Sequence, residues 1–67
     1  MSVLKVIEIL AHSKESWEDA AQKAVDEAAK SVKNIKSVWI QDQSCEVENN
    51  KITDYRVNAK ITFLVEH

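Results

Sequence analysis

The sequence contains no glycine and no proline. Turns therefore fall to Asn, Asp and Ser, whose short polar side chains tolerate turn geometry. No linker, repeat or low-complexity stretch interrupts the chain. There is one cysteine, Cys45, so no intrachain disulfide can form. No Cys/His spacing has the form of a zinc site. Charge of one sign is also missing: 9 Lys and Arg stand against 11 Asp and Glu, a net charge of −2. Without a basic stripe, nucleic acid is not an expected partner. The apolar runs are too short to span a bilayer. The start, MSVLKVIEIL, lacks the basic opening, longer apolar stretch and small-residue cleavage site of a signal peptide. A cytoplasmic protein with a reduced thiol is the expectation.

The 67 residues make one domain at most, taken as 1–67. Ordering such a chain costs on the order of 100 kcal/mol of conformational entropy, which a core this small barely offsets. With no disulfide and no metal site to reinforce it, self-association is the expected support.

Residues 2–10 are rich in Val, Ile and Leu and read as a strand, which AHSKES then ends. Ser16 is a helix N-cap with Asp19 at the third helical position, and Glu18 and Asp19 suit the positive end of the helix dipole. A helix over 17–33 follows. Trp17, Ala20, Ala21, Ala24, Ala28 and Val32 fall on one face at 3.6-residue spacing, widened by Val25 and Ala29. Alanine on that face allows close approach to whatever covers it. Lys30 and Lys33 complement the negative end of the dipole. Asn34 is placed to take the left-handed cap, with Ile35 folding back. Strands over 36–47 and 51–65 follow, joined by a tight ENNK hairpin with Asn at its centre. Along the last strand Tyr55, Val57, Ala59, Ile61, Phe63 and Val65 alternate with Arg56, Asn58, Lys60 and Thr62. The apolar set is expected on the helix; the polar set must meet water, ligand or another subunit. The predicted fold is α+β, a β-α-β-β chain with a three-stranded antiparallel sheet and one helix on it. Strands of this length overhang a single helix, so the overhang and the open face are expected to pack on further copies.

VLKVIEI, SKESWEDAAQKAV and KSVKNIKSVW, then a hairpin and a long alternating strand with Y-x-V-x-x-K-x-x-F, together resemble a dodecin over essentially the whole chain. The resemblance implies a hollow homododecamer. It also implies storage or sequestration of flavin, with isoalloxazine rings stacked in pairs at subunit junctions, and no catalysed reaction. By the same resemblance, a Trp is expected just after Asn34-Ile35-Lys36, where this chain has Ser37. Trp39 lies two residues on. The Gln that contacts the ring aligns with Arg56. Asp42 and Gln43 match positions near the ribityl chain. The set implied for a ligand is thus Ser37, Trp39, Asp42, Gln43 and Arg56, with FMN or riboflavin as the cofactor and binding weakened. The family has a calcium dodecin branch without the flavin Trp, which this chain resembles in its start, its SW helix opening and the missing Trp.

Each residue also carries a plainer reading. Trp39 is a displaced stacking platform or a subunit contact. Arg56 meets a ring or anion, or pairs with Asp42 or Asp54. Asp42, Glu46, Glu48 and Asp54 cluster near the hairpin, and carboxylates suit calcium or magnesium. The metal set named is Asp42, Glu46 and Glu48, against solvated carboxylates with no EF-hand spacing. Cys45 is expected as a half-buried thiol, Trp17 as a core or interface plug, His12 in a loop and His67 at the terminus. No acid/base pair, activated nucleophile or phosphate loop is present, so an enzyme is not expected. An ion-binding or structural shell without flavin is the alternative function.

Overall fold

A computed structural model describes residues 3–65; the expected strand start at Ser2 and His67 lie outside the described residues. The order is β1 (Val3–Ser13), α1 (Trp17–Ala29), β2 (Ile35–Glu48) and β3 (Lys51–Val65). The sheet is antiparallel with β3 in the centre, in the order β1-β3-β2. The predicted β-α-β-β architecture is the observed one.

α1 begins where its capping chemistry places it. Ser16 has extended backbone, and its Oγ accepts from the Asp19 amide at 2.9 Å. The Asp19 carboxylate does not fold back on the cap; it accepts from Ser13 Oγ at 2.6 Å and lies 3.3 Å from Lys23 Nζ. These contacts, the Ser13 hydrogen bond first, hold the Asp19 carboxyl below its ordinary pKa.

Each end of β2 lies one residue beyond expectation, and two boundaries differ by more. β1 runs on to Ser13, because Ala11, His12 and Ser13 pair with Val57, Arg56 and Tyr55 of β3. Cross-strand pairing there outweighs weak strand propensity, and it moves His12 from a loop into the sheet. α1 stops at Ala29 rather than Lys33. Lys30 N donates to Glu27 O at 3.2 Å, and Ser31 N to Ala28 O at 2.9 Å, a tightened i→i+3 exit. Neither Lys30 nor Lys33 stands in the last helical turn. Asn34 does take positive φ, 61°, but at the entry to β2, where its carbonyl accepts from Leu64 N at 3.0 Å. The hairpin is as expected: Asn49 and Asn50 have φ of 52° and 64°, matching the right-handed twist of the strands they join.

The core lies between α1 and the sheet. Ala20 and Ala24 of the helix and Ala59 and Ile61 of β3 are fully buried, with Ala28 and Val57 nearly so. Ile7, Ile9, Val25, Ile35 and Ile40 pack around this centre. A helix of 13 residues covers only about 20 Å of strand, whereas the protein extends 52 Å. β1 pairs β3 only from Tyr55 onward, so the hairpin beyond it is two-stranded, and Val47 and Ile52 there are exposed.

Candidate ligand site on the open sheet face

The register decides which side chains share the face that α1 leaves uncovered, since residues paired across neighbouring strands point the same way. On β3 this face carries Arg56, Asn58, Lys60 and Thr62. Thr62 is flanked by Val6 and Ser37, Lys60 by Glu8 and Trp39, Asn58 by Leu10 and Asp42, and Arg56 by His12 and Ser44. Ser37 and Trp39 thus share one face, as expected from their spacing.

Strict alternation fails further along β2. The ladder shifts between Ile40 and Asp42, so Gln41 is an extra residue. Such a bulge resets the facing of everything after it. Asp42 therefore joins the open face, while Gln43 pairs with Val57 on the helix side. Of the five residues expected at a ligand, Ser37, Trp39, Asp42 and Arg56 share the open face and Gln43 does not; Ser37 stands six positions along the sheet from Arg56, about 20 Å, and of the five only Asp42 and Arg56 line one pocket.

Trp39 is 63% exposed. Lys60 Nζ lies 5.6 Å from the ring centroid, a cation–π contact worth roughly 0.5–1 kcal/mol at an exposed site. A flat ring stacked on that indole face must displace the ammonium. The Ser37 hydroxyl offers no ring to stack against. The residues therefore fit an isoalloxazine in part: one indole, already partnered, two positions from where the resemblance expects it.

Arg56 pairs with Glu46, NH1 to Oε1 at 3.7 Å, and not with Asp42 or Asp54. Asp54 is taken by His12, whose Nδ1 lies 3.1 Å from Oδ2. His12 is the residue that sequence reasoning missed, because its strand was ended three residues too early. Beside Arg56 the open face holds a pocket of about 260 Å³ lined in part by Leu10, His12, Asp42, Ser44, Arg56 and Asn58. The Asn58 Oδ1 is buried without a hydrogen-bond partner.

The expected metal ligands offer the right oxygen chemistry. One chain does not gather them: among the described residues no three His, Cys, Asp or Glu side chains converge on a point. Glu46 stands beside Arg56, and Glu48 lies opposite Lys51 past a further shift in the ladder. Trp17 is at the helix start, on the other side of the sheet. It stacks edge-on against Tyr55, centroids 5.2 Å apart, and its Nε1 donates to Ser44 O at 3.2 Å. Cys45 is half-buried, as expected.

The dodecin family model matches residues 3–66. This chain belongs to the dodecin family. It is 38% identical over 63 residues to the calcium dodecin of Mycobacterium tuberculosis, covering 94% of this chain and 89% of that protein. The crystal structure of that relative, described as a calcium-chelating antigen with a novel calcium-binding site, superposes with a TM-score of 0.80 over 97% of this dodecin and 93% of its own chain. The Thermus thermophilus dodecin shares the fold with a TM-score of 0.93 at 22% identity and full coverage of both chains. A dodecin from Streptomyces davaonensis does so at 0.90 and 17%, over 98% and 97% of the two chains. Across these relatives the backbone varies less than the side chains, so the ligand question for this dodecin rests on its own open face.

Proposed function

We propose that this dodecin assembles in the cytoplasm as a hollow homododecamer and holds a small ligand on its open sheet face, with flavin binding weakened by Ser37 and Arg56. The observation that carries the reading is the apolar content of that face. Leu4, Val6, Leu10 and Trp39 are all exposed on one chain, and burying a side chain of this kind is worth roughly 1.5–3 kcal/mol. Such a face on so short a chain needs cover, and copies of the chain are the cover that dodecin membership suggests. A pocket lined by Leu10, Asp42 and Arg56 supports the ligand role.

Stacking on a side chain is worth about 1–3 kcal/mol per ring on the scale of nucleic-acid bases. Displacing Lys60 from Trp39 takes back up to about a third of the upper figure. Riboflavin should therefore bind weakly, and Ser37→Trp should tighten it at least tenfold. Titration followed by flavin fluorescence tests this. Nanomolar binding by the wild type with no gain from Ser37→Trp would make Trp39 the working platform instead.

A second reading, calcium or magnesium held between subunits, is favoured by the open-face carboxylates Asp42 and Glu46 together with the 38% identity to calcium dodecin. Metal analysis of the purified assembly separates it from the first.

A further inference from the structure

One row of the open face crosses all three strands. Lys60 on β3 stands between Glu8 on β1 and Trp39 on β2. Its Nζ lies 5.6 Å from the indole centroid, although a carboxylate flanks it on the other side. Residues paired in this way have Cβ atoms about 4.5–5.5 Å apart. A lysine stem reaches either neighbour over that span, so rotation of the side chain alone carries the ammonium from one to the other. Glu8 and Trp39 are both exposed, and at exposed sites a cation–π contact and an ion pair are of similar strength. Lys60 therefore has two positions of nearly equal energy, and a modest change at either end tips the balance.

All three residues belong to one chain, so the row is complete in each subunit before any copy covers the face. None of the three lines the pocket beside Arg56. A flat uncharged ring stacked on this face of Trp39 takes the place of the ammonium, because stacking outweighs the cation–π contact. The ammonium then needs its second position.

We propose that Lys60 and Glu8 determine what Trp39 accepts: Lys60 covers the free indole, and Glu8 receives the ammonium when an uncharged aromatic ring displaces it. Glu8 is then a positioning residue, favouring the bound ring from across the sheet without touching it. This rests on the ligand-holding reading above and adds the residues that tune it.

The test is riboflavin titration, followed by flavin fluorescence, of the wild type, Lys60→Met, Glu8→Gln and the double variant. Ser37→Trp is the binding control, and native mass spectrometry checks the assembly of each. Lys60→Met should tighten binding about twofold to fivefold by freeing the indole. Glu8→Gln should loosen it about twofold, and should change nothing once Lys60 is replaced. A Glu8 that acts through the fold, or through its charge alone, would shift the affinity equally in both backgrounds, and that result overturns the inference. So does a Lys60→Met protein that assembles and binds riboflavin no more tightly than the wild type. If Lys60→Met does not assemble, Glu8→Gln decides: a twofold loss of affinity supports the inference and an unchanged affinity overturns it. Riboflavin bound equally by all of these proteins leaves the ligand-holding reading standing and removes this one. Binding by none of them, Ser37→Trp included, removes both.

Discussion

The two faces of the sheet come from the same three strands and follow opposite rules. On the helix side, Ala20, Ala24 and Ala59 have no exposed surface, and Ile61 fills the space that the small residues leave. Under α1 that face is closed by one chain. On the other side Leu10 is 77% exposed, beside Asp42, Arg56 and His12. The open face mixes apolar bulk with charge, and no single chain can satisfy both. The difference separates two jobs: the covered face determines the subunit, and the open face determines what the subunit meets.

The largest effect should come from placing a charge on the open face. Val6→Asp puts a carboxylate beside Thr62, where the account has a neighbouring copy. An unpaired charge buried at such a contact costs several kcal/mol, so native mass spectrometry should show the assembly broken down. An intact assembly would mean that Val6 faces solvent. The matching change on the covered face is Ala24→Leu. Overpacking there should cost about 1–3 kcal/mol, read as a lower denaturation midpoint. If both variants behaved alike, the contrast between the faces would be lost.

How much of this contrast could be read in advance depended on the period of each segment. β3 alternates without a break from Tyr55 to Phe63, and its two faces came out as expected. The alanine stripe of α1 and the Asn49-Asn50 turn were equally legible, because each rests on local chemistry. β2 was not. Its bulge at Gln41 leaves no mark in a run of polar residues, and it moved Gln43 off the site. His12 was missed for a related reason: Ala-His-Ser has little strand propensity, and pairing with Tyr55 to Val57 is a long-range fact. The family was legible from motif order; the orphan Asn58 Oδ1 was not, since only packing makes it one.

Smaller effects sharpen the covered face. Ser16→Ala removes the cap bond to the Asp19 amide and should cost about 1 kcal/mol in a melt. The pH response should be slighter still. Asp19 has a folded pKa below its ordinary 3.8, so its contribution is fully present above that value and is lost as the pH falls through the folded pKa. Ser13→Ala removes the largest cause of the shift, so stability should then fall less steeply below pH 3.8 than in the wild type. Equal slopes would mean that the Ser13 hydrogen bond does not favour the charged form.

The central claim is that the open face is completed by copies of the same chain. Native mass spectrometry of the purified protein at micromolar concentration tests it most directly. The account predicts a single species at twelve times the mass of the chain. A folded monomer at that concentration would contradict it.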